Sequence, residues 1–199
     1  MTGLGNGLGL AGHNEDALTV KEAELATLRR LGGSERNMLV VQSNLADTYA
    51  KLGRKEEALR LRRDAYSGYL KLHGEEDEDT LIAAINYVAS LGELERFGEA
   101  KSLLRKIMPV APHVLGESHE TTLRMRQSYA AALYNDPGAT LDDLREAATT
   151  LEETERIARR VFGDAHPNTA GIEVALGEAR AALGARETAD GCPGGWGPG

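Results

Sequence analysis

Residues 44–65, NLADTYAKLGRKEEALRLRRDA, contain two amphipathic segments with a glycine between them. On both sides of Gly53, apolar residues recur every three or four positions, which is the spacing of one face of an α-helix. Glycine readily adopts the left-handed conformation in which many helices end. The stretch therefore predicts a helix that ends near Gly53, a tight turn, and a second helix that packs back on the first.

The pattern of this stretch returns further along the chain. Five pairs of identical residues are 42 positions apart: Asn44 and Asn86, Ala58 and Ala100, Gly74 and Gly116, Thr80 and Thr122, and Leu81 and Leu123. The following unit is longer, because Gly116 and Gly163 are separated by 47 positions. Its additional residues fall within NDPGATLDD, residues 135–143, where Asp-Pro-Gly is typical of a turn. The chain is thus read as an array of two-helix units that share one continuous apolar seam.

The repeat divides the chain into a leader, an array and a tail. Residues 1–12 are mostly Gly and Leu and stand where a first helix is missing, so we expect a flexible leader. The array, residues 13–184, consists of a partial unit, three full units and a final helix, with the boundaries 13–34, 35–76, 77–118, 119–165 and 166–184. Residues 185–199 are rich in Gly and Pro and lack periodicity, which is typical of a disordered tail.

The junctions and interruptions of the array follow helix-end rules. The glycine that ends each unit is followed by acidic residues and a threonine, which are typical of a helix start. The second helix of the middle full unit contains Pro109 and Pro112. Proline inside a helix removes a hydrogen bond and costs about 3 kcal/mol. We therefore expect a kink or break near Met108, rather than two separate elements.

The opening stretch resembles a tetratricopeptide repeat. The residues at the small and large packing positions of that family are Leu45, Ala46, Tyr49, Gly53, Ala58 and Ala65. The common unit of the family has about 34 residues. The 42-residue unit and the junction FGDAHPNTA, residues 162–170, are instead similar to the kinesin light chain variety. The resemblance implies an all-α fold, a right-handed α–α superhelix of helical hairpins. Arg62, in place of an aromatic residue, and Glu95, in place of the turn glycine, depart from the pattern.

In such an array the first helices line the inside of the curve, and the resemblance implies that this groove binds a peptide or a partner protein. The residues expected there are Asn44, Asp47, Lys51, Ile82, Ile85, Asn86, Arg124, Gln127 and Tyr134. The asparagine in peptide-binding members hydrogen-bonds the ligand backbone; alternatively, Asn44 and Asn86 are helix-surface residues inherited with the repeat. Two other functions stay open: self-association through an uncapped N-terminal repeat, and a recruiting or regulatory role within a larger enzyme.

Charge and composition argue against several other classes of protein. The net charge of -8 and the pI of about 5.2 disfavour nucleic acid as a partner. No apolar run approaches the roughly 20 residues that span a bilayer. The leader lacks the positively charged region of a signal peptide. The single cysteine, Cys192, fits a reducing compartment, and we expect a cytoplasmic protein with no membrane partner.

No residue pattern indicates a catalytic, metal or cofactor site. The glycine pattern GLGLAG, residues 7–12, matches a nucleotide-binding motif but follows no strand. The five histidines lack the spacing of metal ligands. We therefore expect a protein that is not an enzyme and needs no metal or cofactor. Trp196, the only tryptophan, lies in the tail. It is either part of an unstructured end or a short motif that docks into a groove of another protein or of this chain.

Overall fold

The computed structural model describes residues 2–190, and within them the chain is helical and has no strand. The helices are α1 Thr2–Leu10, α2 Asn14–Leu31, α3 Glu35–Lys51, α4 Lys55–His73, α5 Glu78–Glu93, α6 Phe97–Ile107, α7 Ala111–Val114, α8 Glu120–Tyr134, α9 Leu141–Phe162 and α10 Pro167–Asp190. This confirms the expected all-α fold class. None of these helices is both long and apolar enough to cross a membrane.

Consecutive helices pack as antiparallel hairpins that stack side by side. The second helices of the hairpins are α2, α4, α6 and α9. Each of them packs against the first helix before it and the first helix after it. The hairpins form the right-handed superhelix that the repeat predicts. Because isolated helices of this length are marginal in water, the stability of each one comes from the apolar face that its neighbours cover.

The buried apolar side chains do not form the single continuous seam that we expected. The largest cluster extends from Leu59 to Ala179, and a separate cluster joins α2 and α3. Between these clusters, Arg62 of α4 donates hydrogen bonds to Asp47 of α3 (2.9 Å) and to Ser90 of α5 (2.8 Å). A third, small cluster of Leu39, Tyr69 and Ala83 joins α3, α4 and α5. The apolar core is therefore divided into three clusters, and the guanidinium of Arg62 lies among polar partners rather than in any of them.

A hydrogen bond across the loop explains the spacing between glycine and threonine at the last two junctions, whereas Thr80 at the first junction donates to Asp77 (3.3 Å). The side chains of Thr122 and Thr169 are almost completely buried. Their Oγ1 atoms donate to the carbonyl oxygens of Gly116 (2.9 Å) and Gly163 (2.8 Å), respectively. Since a buried hydroxyl needs a partner, each contact fixes the path between one second helix and the next first helix.

The histidines of the same junctions cap helices. His119 and His166 each accept, through Nδ1, a hydrogen bond of 3.2 Å from the backbone N–H two residues later. At the earlier junction Asp77 accepts a hydrogen bond of 3.1 Å from the N–H of Thr80. Sequence analysis assigned capping to the acidic residues and threonines alone, so the role of the two histidines is new information from the structure.

The N-terminal segment is a helix, which corrects the expectation of a flexible leader without a first helix. A Cβ atom added to Gly5 would lie 2.9 Å from Cγ of Lys21, and one added to Gly9 would lie 3.8 Å from Cβ of Ala17. The first distance is too short for a real contact, so the missing side chain of Gly5 lets α1 approach α2, whereas Gly9 has room for a methyl group. The packing of α1 on α2 offsets the low helix propensity of glycine. Helix α1 thereby covers part of the face that we expected to be uncapped and to promote self-association.

The second helix of the middle unit is interrupted at its prolines. Helix α6 ends at Ile107 and α7 begins at Ala111, so the break lies near Met108 as expected. The expectation of a single kinked element is wrong, since the structure has two helices there. Pro112 lies in the first turn of α7, where its missing N–H leaves no helical hydrogen bond unmade.

Helix α10 continues through Asp190, beyond the expected end of the array. Residues 185–190 are therefore helical, and the expectation of disorder is wrong for them. The guanidinium of Arg186 donates to the carbonyl oxygen of Ala139 (3.0 Å), which holds this extension against the loop between α8 and α9. The rest of the expected tail, residues 191–199, lies outside the described residues.

We expect Glu95→Gly to stabilise the protein. Among residues 2–190, Glu95 is the only residue other than glycine with a positive φ (57°), and its counterpart one unit earlier is Gly53 (φ 75°). The left-handed conformation costs an L-residue about 1–2 kcal/mol. Glycine adds about 0.4–1 kcal/mol of unfolded-chain entropy. The free energy of unfolding in urea should therefore rise by about 0.5–1 kcal/mol. Gly53→Ala is the converse control, and a stabilising effect of that substitution would contradict the assignment.

We expect Thr169→Val to lower the free energy of unfolding by about 0.5–1.5 kcal/mol, because the hydrogen bond from the buried hydroxyl of Thr169 to the carbonyl oxygen of Gly163 is lost. Urea denaturation followed by circular dichroism measures the change. The matched control is Thr149→Val, an exposed threonine of α9, which should change stability by less than about 0.5 kcal/mol. Equal effects of the two substitutions would remove the loop hydrogen bond as the explanation for the junction.

Candidate functional site

The candidate site is the inner surface formed by the first helices of the hairpins. Successive first helices contact one another at α1–α3, α5–α8 and α8–α10, whereas successive second helices make marginal contacts at most. The stack is therefore tighter on the side of the first helices, and its curvature makes that side concave. Helices α3 and α5 are not in such close contact, and Arg62 reaches between them.

Asn44 of α3 and Asn86 of α5 occupy equivalent positions of two successive first helices. Both side chains are half-buried. Within residues 2–190, neither side-chain amide makes a hydrogen bond to another group of the chain. An amide carries two donors and two acceptor lone pairs, so each of these groups keeps its full capacity for an incoming ligand. Both side-chain amides are therefore available for hydrogen bonds with a ligand.

Lys21 supports the backbone of α3 from the neighbouring helix. Its Nζ atom donates to the carbonyl oxygen of Asn44 (3.0 Å) and to Oγ1 of Thr48 (2.9 Å). Burial lowers the pKa of this lysine, although the charge of Asp47 acts in the opposite direction. Sequence reasoning missed Lys21, because a lone lysine in an amphipathic helix has the pattern of a solvated side chain.

Asp47 forms an ion pair with Arg62, whose side chain is mostly buried. Its carboxylate accepts a hydrogen bond of 2.9 Å from Arg62, whose side chain is 11% exposed, while that of Asp47 is 55% exposed. The Nη1 atom of Arg62 donates to the hydroxyl of Ser90, and the Nε atom of Arg62 is buried without a hydrogen-bond partner. Asp47 therefore lies on the accessible surface as part of a neutralised pair, and its orientation is coupled to both α3 and α5.

The two cations expected at the surface differ in their surroundings. Lys51 is exposed, and its Nζ atom donates to the carbonyl oxygen of Gly9 at 3.3 Å, which ties α3 to α1. Arg124 of α8 is exposed and forms no ion pair with another residue of the described part of the chain. Arg124 is consequently the more accessible positive charge of the predicted set.

Apolar contact is available from some of the expected residues but not from all. Ile82 is 36% exposed, and Val40, which precedes it by one repeat, is 39% exposed. Ile85 is only 1% exposed and belongs to the largest core cluster, so its predicted place in the groove is wrong. The reason is helical geometry: Ile85 lies on the face of α5 that packs into the core, a distinction that the repeat spacing alone does not make.

Gln127 and Tyr134 of α8 bind α10. The side-chain amide of Gln127 donates to the carbonyl oxygen of Gly171 (3.1 Å), and the hydroxyl of Tyr134 donates to the carboxylate of Glu178 (2.8 Å). Burial, together with the hydrogen bond to Glu178, raises the pKa of Tyr134 to about 12. These two residues hold the last two first helices together, so a ligand would contact them only at the expense of these bonds.

A recess lies between α5 and α8, and the sequence did not predict this cavity. Its volume is about 220 Å³, and its walls include Gly92 of α5, Phe97 of α6, and Ser128, Ala131 and Asn135 of α8. Small residues at the surface positions of both helices leave this space open. The signal in the sequence was the set of small residues in α8, but their effect depends on the distance between the two helices.

The structure brings together no metal or nucleotide site in the part of the chain that it describes. No group of three or more His, Cys, Asp or Glu residues could hold a metal ion there. The GLGLAG motif lies at the end of α1 and in the turn that follows, where Gly9 faces Ala17 of α2. Gly12 has a positive φ (83°) and belongs to the turn, so the motif forms a helix end and not a phosphate-binding loop after a strand.

Comparison with known proteins agrees with this architecture. Residues 37–113 match the model of the tetratricopeptide repeat family. No curated protein sequence matches the chain with significance.

Solved structures are similar over almost the whole chain. Two crystal structures, one of them of a single-substitution variant, contain nearly identical TPR-like repeats of a Podosopora anserina protein assigned as a kinesin light chain. They have TM-scores of 0.78 and 0.76 and 21% identity, and cover 96% of this chain and 88% of theirs. BtubC (BKLC) from P. vanneervenii has a TM-score of 0.69 and 15% identity, and covers 98% and 82%, respectively. At these identities the similarity concerns the fold.

We expect Tyr134→Phe to flatten the alkaline loss of stability. A phenol with a pKa raised from 10.0 to about 12 in the folded state contributes stability that is fully present below pH 10 and is lost as the pH rises through 12. The free energy of unfolding of the parent chain should therefore fall more between neutral and strongly alkaline pH than that of Tyr134→Phe. Urea denaturation at both pH values measures the difference. An identical loss in both proteins would contradict the proposed ionisation.

Proposed function

We propose that this chain, a tetratricopeptide repeat protein whose repeats are of the kinesin light chain-like type, binds an extended segment of a partner protein on the inner surface of its superhelix. Repeats of this family are generally protein–protein interaction modules, and the fold is typically a non-catalytic scaffold. The proposal adds the location and the mode of binding. The net charge of -8 makes a protein a more suitable ligand than a nucleic acid.

The observation that carries the proposal is the pair of available amides at Asn44 and Asn86. Each is half-buried, on an equivalent turn of successive first helices, and neither is used within the described part of the chain. A half-buried polar group without a partner loses hydration when a ligand covers it, so it favours a ligand that supplies hydrogen bonds. The backbone of an extended peptide offers both donors and acceptors at regular intervals.

The residues around the amides suit such a peptide. The exposed parts of Val40 and Ile82 offer apolar area beside each amide, and the recess at Gly92 can receive a small apolar side chain. Arg124 lies further along the same surface and would attract an acidic group of the ligand. The binding energy would come mainly from these apolar contacts, whereas the amides would set the direction and register of the peptide.

Preorganisation supports the same conclusion. Lys21 fixes the backbone of Asn44 through a hydrogen bond of 3.0 Å, and Arg62 links α3 to α5 through Asp47 and Ser90. Both contacts restrict the positions of the two first helices before a ligand arrives. A surface that is already ordered loses less conformational entropy on binding, which favours affinity.

We expect the double variant Asn44→Ala plus Asn86→Ala to bind peptides about tenfold more weakly than the parent chain, because each lost hydrogen bond is worth about 0.5–1.5 kcal/mol. The probes are peptides that the parent chain selects from a phage-displayed random library. Isothermal titration calorimetry measures the affinity, and circular dichroism should report unchanged helicity.

The matched control is Ser67→Ala plus Thr149→Ala, which removes two exposed polar groups from the second helices α4 and α9. This control should bind the selected peptides like the parent chain. If the asparagine variant binds as tightly as the control, the two amides are not part of the binding surface. If the library selects no peptide at all, the proposed peptide-binding function is wrong.

A further inference from the structure

A second groove lies at the C-terminal end of the superhelix, away from the amides of the inner surface. It has a volume of about 290 Å³. One wall is a row of alanines on α10, formed by Ala182, Ala185 and Ala189, and the opposite side contains Leu144 of α9 and Pro137 of the loop between α8 and α9. The groove is open to solvent and mainly apolar.

The alanine wall of this groove belongs to α10, which is longer than the other first helices. Helix α10 has 24 residues, whereas the first helices α3, α5 and α8 have 17, 16 and 15. Its additional turns extend over the loop between α8 and α9. Arg186 donates to the carbonyl oxygen of Ala139 (3.0 Å), and Arg145 of α9 forms an ion pair with Glu187 (3.3 Å). The extension is therefore fixed against the array, and the groove is formed in advance.

The sequence that follows α10 can reach the groove. Residues 191–199, GCPGGWGPG, lie outside the described residues and contain Trp196, the only tryptophan of the chain. Trp196 follows Asp190 by six positions, which corresponds to a maximum reach of about 20 Å. The row of alanines from Ala189 back to Ala182 is about 10 Å long, since each helical residue adds about 1.5 Å. Glycine and proline in the intervening stretch permit a reversal of the chain.

We propose that Trp196 docks into this groove of its own chain. An indole ring buries a large apolar area, about 150–250 Å², on a surface such as the alanine row with Leu144 and Pro137. The groove also contains Arg186, whose planar guanidinium can stack on an aromatic face.

The polar edge of the indole also finds a partner in the groove. Asp136 lies in the groove wall, and hydrogen bonds from Lys101 and from the N–H of Gly138 lower the pKa of its carboxyl group. The carboxylate therefore offers an acceptor for the indole N–H. Attachment through a short connection gives the ring an effective concentration on the order of millimolar, which favours the chain's own tryptophan over an external ligand in a shallow groove.

Tryptophan fluorescence of the full chain tests the proposal directly, because the emission comes from Trp196 alone. We expect the native chain to emit at shorter wavelength, and to be quenched less by acrylamide, than the urea-denatured chain. Ala185→Glu should remove both differences, because it places a charge in the groove. The matched control is Ala181→Glu, at an exposed position of the same helix outside the groove, which should leave both unchanged. Ala189→Glu provides a second groove variant, and circular dichroism verifies that all variants are folded.

Three results would overturn the proposal. The first is native emission and quenching equal to those of the denatured chain. The second is an equal response of the groove variants and the Ala181→Glu control. The third is a wavelength shift that appears only as the protein concentration rises, since the tryptophan would then bind a second copy. None of these results depends on whether the inner surface binds a peptide.

Discussion

The close approach of the two helices in each hairpin is the constraint on which the rest of the structure depends. One alanine of every second helix stands at the same repeat position and is at most 1% exposed: Ala17, Ala58, Ala100 and Ala147. Its methyl group leaves room for the partner helix to pack closely, and larger side chains above and below fill the remaining space. Because the same small residue recurs in each hairpin, successive hairpins can stack in a similar way.

The inner surface follows from this stacking. The first helices approach one another more closely than the second helices do, so that side chains from different repeats meet on the concave side. Between α3 and α5, Arg62 bonds to Asp47 and Ser90, in addition to a small apolar cluster that joins these helices. A charged pair with one exposed partner contributes little net stability. Its effect here is geometric, since it sets the positions of the helices that carry Asn44 and Asn86.

Sequence analysis could locate the site only to the level of a helix. The spacing of 42 residues correctly placed Asn44 and Asn86 on equivalent turns, because the repeat period is a property of the chain itself. The same reasoning wrongly assigned Ile85 to the groove, because the repeat spacing does not show that Ile85 lies on the buried face of α5. It also missed Lys21 and the recess near Gly92, which depend on contacts between residues that are distant in sequence.

The sequence by itself determined that this is an all-α array of helical hairpins, because helical periodicity, turn glycines and junction threonines are local signals that repeat. Only the tertiary structure decided that the glycine-rich N-terminus is a helix and that α10 extends past the array. Both segments have weak or absent periodicity, and their neighbours determine their conformation. Gly5 permits close packing on α2, and Arg186 bonds to the loop before α9. Such contacts form only once the hairpins have stacked, and therefore leave no periodic pattern in the sequence.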